Sequence, residues 1–370
     1  MIRRTVTIGG RAVGDDHPCF VTFEAGATHG GVESAKRLID VAAQVGADAI
    51  KFQILDPDRL VADRAQAFSY EVLIDRASAR RETVTEPLYD LLARRALPPE
   101  AWRALKAHAD ARGLAFFATI GFADEIDRMV GLGCDSIKIA SADIDHLPLI
   151  RHAARTGLVV QIDTGNATLG EIETAVDAIR AEGNESIVIH HCPTGYPART
   201  ESINLNVIGS LRRMFPYPIA YSDHTPSWAM DVAALALGAN VLEKTITEDR
   251  TTRSVEHVMS LEPDEARRFI ATLREVEAAM GGPSFAPDGA TEGEPSVASW
   301  RRRAVRRSAY LATPVFAGAR LGDLVLDYRR PGFGLSPGFV ERHADARLAR
   351  DLPAGHRLGL GDLTTEGIER

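Results

Sequence analysis

The chain has 370 residues, 45% of them hydrophobic and 25% charged, with a formal net charge of -8. That length exceeds one average domain and fits one large α/β barrel plus a small second domain. The acidic balance argues against nucleic acid or anionic membranes as partners.

Cys19, Cys134 and Cys192 match neither a zinc spacing nor a disulfide framework, which suits a reducing compartment. No run approaches the ~20 apolar residues of a membrane span, and Met1 is not followed by an apolar leader, so the expected location is cytoplasmic.

The first predicted element is a hairpin from Thr5 to Gly14, turning at Gly9-Gly10 and placed to plug the bottom of a barrel. A short β-branched run then alternates with an amphipathic stretch eight times. The predicted strands are Cys19–Ala25, Ala49–Ile54, Ala115–Ile120, Ser136–Ser141, Val159–Thr164, Ser186–Cys192, Pro218–Asp223 and Asn240–Thr247. The predicted helices are Gly31–Val45, Pro99–Arg112, Ala123–Leu132, Leu147–Thr156, Leu169–Glu182, Leu205–Phe215, Ala229–Leu237 and Pro263–Met280. Ile172, Ala175, Val176 and Ile179 share one helix face, and Gly46, Gly113, Gly133, Gly157, Gly183 and Gly238 suit left-handed C-terminal caps.

Eight β/α units, with no Gly-x-Gly-x-x-Gly after the first strand, favour a closed (β/α)8 TIM barrel over an open doubly wound sheet. The polar segment from Asp56 to Glu86 is too long for an ordinary connection and reads as a functional or disordered loop over the C-terminal face. Gly281 to Gly289 is linker-like. The expected division is a catalytic barrel with its hairpin over 1–282, a linker over 283–306 and a small β-rich domain over 307–370. Strand signals in that last domain are Ser308–Ala312 and Val325–Tyr328, and its size calls for docking on the barrel or on a partner. The run Arg301, Arg302, Arg303, Arg306 and Arg307 at the junction reads as a solvated or salt-bridged segment ahead of an anion site.

Almost every predicted barrel strand ends in a polar residue: Glu24, Lys51, Thr119, Lys138 with Ser141, Asp163 with Thr164, His191, Ser222 with Asp223 and His224, and Glu243 with Lys244. The C-terminal strand ends of a (β/α)8 barrel ring the active site, and charges buried there must pair or bind a charged ligand. Lys51, Lys138 and Lys244 are expected to converge on that rim and to hold a multiply charged anion such as a phosphorylated carboxylate. His224, beside Asp223, is a candidate for metal ligation or acid–base work. Cys192 reads as packing, and at most one of His190 and His191 faces the barrel mouth.

The ordered motifs resemble the sialic (nonulosonic) acid synthases. They are Glu24-Ala-Gly-Ala-Thr-His29-Gly-Gly31, Ala47-Asp48-Ala-Ile-Lys51-Phe-Gln53, Lys138-Ile-Ala-Ser141, Thr164-Gly-Asn-Ala-Thr168, His191-Cys-Pro-Thr-Gly-Tyr196-Pro197, Tyr221-Ser-Asp-His224-Thr225, Ala239-Asn-Val-Leu-Glu243-Lys244 and Ser260-Leu-Glu-Pro263. Arg329-Arg330-Pro331-Gly332 with Ser336-Pro337 is similar to the antifreeze-like (SAF, β-clip) domain that follows the barrel in that family.

The resemblance implies a transferase that condenses phosphoenolpyruvate (PEP) with an N-acylated hexose, giving a sialic, legionaminic or pseudaminic type of acid plus phosphate. It implies that Lys51, Thr119, Lys138, Ser141, Ser222 and Lys244 surround PEP, with Glu24 and Glu243 near the reacting centre. It places His224 as ligand to a divalent metal (manganese, magnesium or cobalt), and Tyr196, Glu256 and Arg330 at the sugar, with Arg330 reaching the other protomer of a domain-swapped homodimer. The chain departs from the family pattern where a second metal-binding His is Thr245, where Ser before Thr-Gly is Asp163, where Asn before His29 is Thr28, and at Thr194 behind Pro193. These positions mark a subgroup with its own substrate. Two other readings are a Schiff-base aldolase using one rim lysine and a non-catalytic carbohydrate-binding homologue.

Overall fold

The computed structural model describes residues 3–281, 300 and 303–364. The chain divides into two units, Met1–Gly281 and Gly282–Arg370. The expected linker lies mostly outside the described residues, as do Arg301 and Arg302 of the basic run, while residues 303–305 are helical.

The first unit opens with an antiparallel hairpin, β1 (Val6–Ile8) and β2 (Arg11–Val13). The barrel strands are β3 (Phe20–Glu24), β4 (Ala49–Gln53), β7 (Ala115–Ile120), β8 (Ser136–Ile139), β9 (Val159–Asp163), β10 (Ile187–His191), β11 (Ile219–Asp223) and β12 (Val241–Thr245). All pair in parallel, in that order, and β12 returns to β3 to close the barrel. The predicted strands and helices recur within a residue or two at each end.

Local chemistry explains the boundaries. The helix Leu169–Ala181 starts on a capping box, in which Thr168 Oγ accepts the Glu171 amide while the Glu171 carboxylate accepts the Thr168 amide at 2.7 Å. The helix Val32–Val45 ends on Gly46 at φ 86, where a side chain would be strained.

Strand parity sorts the core into two layers. Phe23, Ile50, Phe52, Phe116, Ile219 and Leu242 face the helices and pack with Leu38, Trp102 and Phe269. Phe20, Ala49, Phe117, Val159, Val188, Ala220 and Val241 fill the barrel interior together with Val6, Ile8 and Val13 of the hairpin. The hairpin therefore plugs the bottom, as its sequence predicts, and a Cβ on its turn residue Gly9 would lie 2.6 Å from the Ala115 Cβ.

The stretch expected as a functional or disordered loop is ordered secondary structure. After a short helix, Pro57–Leu60, it forms a second antiparallel hairpin, β5 (Ala67–Asp75) and β6 (Arg80–Pro87), followed by the helix Leu88–Ala93. Tyr70, Val72 and Val84 share its buried face and pack on Leu91 and Val255. The Arg- and Glu-rich β6 contributes only Val84 to that cluster, so the strand signal was diluted by its solvated face.

The second unit carries an antiparallel pair, β13 (Ser308–Leu311) and β14 (Leu326–Arg329), and a helix, Pro337–Arg342. Its own core holds Ala309, Leu311, Leu321, Leu335, Val340, Leu348, Leu352 and Leu358.

Candidate active site

Side chains alternate along a strand, so residues two beyond the interior plug also face inward at the C-terminal end. Each of the eight barrel strands supplies at least one polar residue there: Glu24, Lys51, Thr119, Lys138, Asp163, His190, Ser222 and Glu243.

The centre of this ring is one oxygen. Glu243 Oε1 lies 2.6 Å from Lys51 Nζ and 2.7 Å from Lys138 Nζ, and it accepts the Ser222 hydroxyl at 3.1 Å. Lys51 also reaches Glu24 Oε2 at 2.5 Å, and Glu24 Oε1 accepts the Gly26 amide. A Cβ at Gly26 would stand 2.6 Å from that carboxylate, so this turn admits only glycine. Lys138 Nζ lies 3.0 Å from Asp163 Oδ1.

These groups are nearly dry, and burial competes with charge pairing. At Glu243 burial opposes ionisation, but Lys138 and Lys51 outweigh it and hold the carboxylate well below its usual range. Burial lowers Lys51, whereas at Lys138 the facing Asp163 and Glu243 overcome burial and raise the ammonium. Burial pushes the Cys192 thiol up and keeps it protonated, in line with a packing role.

The expected three-lysine rim is a two-lysine cluster. Lys244 follows Glu243 and so points to the opposite side of the sheet, where it is fully buried. There it pairs with Asp223, donates to the carbonyls of Thr225 and Ser227 at 2.6 Å each, and lies 3.7 Å from Asp231 on the helix Ala229–Ala236. Tyr221 donates to the same Asp223 at 2.9 Å. The histidine pair also divides by parity. His190 faces the interior, while His191, the one expected at the rim, binds the Ile203 carbonyl and packs on Tyr221.

The other predicted residues of the first unit lie on the barrel strand ends and the segments that follow them. Thr119 stands opposite Lys138 in the strand register, and Ser141 begins a 3-10 turn with its hydroxyl close to Gly165. Tyr196 lies over His224, ring centroids 4.9 Å apart. It also lines a cavity of about 530 Å³ with Ser69, Glu71 and Arg81 of the second hairpin. Glu256 is buried at φ 70, a left-handed conformation uncommon for a side-chain residue, and burial pushes its carboxyl up. Arg95, which the sequence did not single out, is buried beside it. Arg95 donates to Val255 O at 3.3 Å, and its Nη1 has no partner among the described residues. Arg330 lies in the second unit, just past β14.

For a metal ion, His224 offers one nitrogen. Its Nδ1 donates to Pro193 O at 3.0 Å, leaving Nε2 bare, and burial holds the imidazole neutral, down to about 4. Thr245 is inward and buried, with a hydroxyl in place of an imidazole. Among the described residues, no group of three His, Cys, Asp or Glu side chains converges to hold an ion. The donor set does not fit a tight transition-metal site.

A model of the NeuB family matches residues 38–284. The chain belongs to the NeuB family. Among NeuB-type relatives, the N,N'-diacetyllegionaminic acid synthase of Legionella pneumophila is 31% identical over 351 residues, covering 93% of this chain and 94% of that protein. Two solved structures share the fold. The N-acetylneuraminic acid synthetase of Leptospira borgpetersenii is 28% identical with a TM-score of 0.68, over 78% of this chain and 93% of that one. The spore coat polysaccharide biosynthesis protein SpsE of Bacillus subtilis is 29% identical with a TM-score of 0.64, over 98% and 100%. The barrel mouth described above therefore belongs to a NeuB scaffold, and no described helix is long and apolar enough to cross a membrane.

Proposed function

We propose that this NeuB member condenses PEP with the open-chain aldehyde of an N-acylated amino sugar to give a nonulosonic acid and phosphate. The observation that carries the reading is the convergence of Lys51, Lys138 and Ser222 on a single oxygen of Glu243. Three donors aimed at one point form a prebuilt anion site, with the Glu243 carboxylate holding them in place.

In this reading Lys51 and Lys138 take the carboxylate and phosphate of PEP, and Thr119, Ser141 and Ser222 add hydroxyl donors. The PEP methylene carbon attacks the aldehyde carbon. Water adds to the resulting C2 cation, and phosphate leaves. Glu24 and Glu243 receive and return protons over short distances. Tyr196 and Glu256 face the sugar, and Arg330 completes the site from the partner of a domain-swapped dimer. A divalent metal, where one binds, is held by His224 Nε2. Lys244 keeps the β11 and β12 ends in register through Asp223 and does not touch the ligand.

The test is phosphate release from PEP with a panel of N-acylated hexoses, including N-acetylmannosamine and a diacetamido-dideoxy hexose. Release that requires one of these sugars supports the reading, and no release with any of them overturns it. The lowered Lys51 favours one second reading, a Schiff-base aldolase. Borohydride trapping of pyruvate on Lys51 would support that alternative.

A further inference from the structure

Beneath the lysine cluster the hydrogen bonds run in one direction. Ser136 Oγ donates to the Val159 carbonyl at 3.1 Å, and it accepts Gln161 Nε2 at 2.8 Å. Gln161 Oε1 is thereby turned to His190, whose Nε2 lies 2.8 Å away. A carboxamide oxygen only accepts, so His190 Nε2 carries the ring hydrogen and Nδ1 of the neutral imidazole is bare. That Nδ1 sits 3.7 Å from Asp163 Oδ1, and neither atom has a hydrogen-bond partner. Lys138 Nζ, 3.0 Å from Asp163 Oδ1, makes an ion-pair contact there and gives its hydrogen bond to Glu243.

Charge count points to the same pair. Lys51 and Lys138 face Glu24, Glu243 and Asp163, leaving one uncompensated carboxylate in a nearly dry site. One oxygen each of Glu24 and Glu243 accepts hydrogen bonds, while Glu24 Oε2, Glu243 Oε2 and Asp163 Oδ1 accept none; of these three, Asp163 Oδ1 is the one 3.7 Å from the bare His190 Nδ1. The Asp163 side chain is also the most open to the mouth, at 11% exposure against 5% or less for the other four.

We propose that Asp163, facing the bare His190 Nδ1, is a neutral carboxylic acid in the resting site, and that it receives PEP in that form. As a carboxylate it would set a buried negative charge against the incoming anion; as an acid it offers a hydrogen bond where a serine stands in the family pattern. The PEP part of this proposal rests on the function proposed above. The groups facing Asp163 are Lys138 from β8, Lys51 from β4, Glu243 from β12, His190 from β10, and Cys192 and Tyr196 just beyond it. Burial raises the Asp163 carboxyl against the pull of Lys138, and burial with Lys138 lowers His190 well below its usual value.

Two measurements on the full chain test this. Infrared difference spectra of the ligand-free protein at pH 7 should show a protonated-carboxyl band that disappears in Asp163→Asn. The absence of any difference band would overturn the proposal whether or not PEP binds. Calorimetric titration with PEP should show wild-type affinity falling by about tenfold per pH unit once Asp163 ionises. Asp163→Asn should hold its affinity through the same range. Parallel pH profiles would show that Asp163 does not control binding. If wild type binds no PEP at any pH, the proposed function fails, and the infrared band still decides the protonation state.

Discussion

Lys51 and Lys138 arise on strands separated by β7, yet their ammonium groups are held by the same oxygen of Glu243, at 2.6 and 2.7 Å. Two like charges stay side by side in a dry interior because that carboxylate lies between them, with Glu24 and Asp163 on their outer sides. Replacing Lys138 with Met keeps the volume and removes one donor. PEP turnover should fall by at least about a hundredfold, while circular dichroism stays that of the folded protein. Normal turnover in Lys138→Met would remove the cluster from the reaction.

Lys244 should behave in the opposite way. Lys244→Met leaves Asp223 and Asp231 buried without a cation, which should cost about 3–5 kcal/mol of folding stability. Denaturant titration reads that loss directly. PEP affinity of the folded variant, measured at low temperature, should remain within about threefold of wild type, a change worth less than 1 kcal/mol. A loss of affinity without a loss of stability would return Lys244 to the ligand.

Acid should destabilise the barrel through Glu243 and Asp223. Both have folded-state values below their unfolded ones. Their contribution is complete above about pH 5 and is lost as pH falls through the folded values. Asp163 and Asp231 are raised and act with the opposite sign, losing stability as pH rises through theirs. The melting temperature should therefore fall on the acid limb, and Glu243→Gln should flatten that limb. A variant curve parallel to wild type would show that Glu243 carries none of it.

Metal binding should be loose. One bare imidazole nitrogen at His224 and a hydroxyl at Thr245 hold manganese less firmly than two imidazoles. Calorimetry with manganese should show weak binding that His224→Ala abolishes. Stoichiometric metal surviving dialysis would reveal a ligand set not described above.

Arg330 should act across a dimer. Truncation after Arg307 should end turnover but spare PEP binding, because the lysines lie in the first unit. Mixing inactive Lys138→Ala with inactive Arg330→Ala chains, under subunit exchange, should restore about a quarter of wild-type activity, since half the dimers are mixed and each carries one intact composite site. Proven exchange with no rescue would mean that each site is built from a single chain.

The sequence by itself determined the barrel, its plug and the division into two units. Those features are written in local periodicity, as in the helix face of Ile172, Ala175, Val176 and Ile179, and in turn residues such as Gly9 and Gly46. It also placed Glu24, Lys51, Lys138 and Glu243 at strand ends. Which side of a strand each residue faces was not legible. Barrel strands are buried on both faces, so apolar residues occupy both and the period-two contrast disappears. Lys244 and His191 therefore looked equivalent to Glu243 and His190. Only closure of the sheet set Val241 and Glu243 on the inside and Leu242 and Lys244 against the helices. That same closure brought Asp163 to within 3.7 Å of His190, a contact between neighbouring strands that no local pattern encodes.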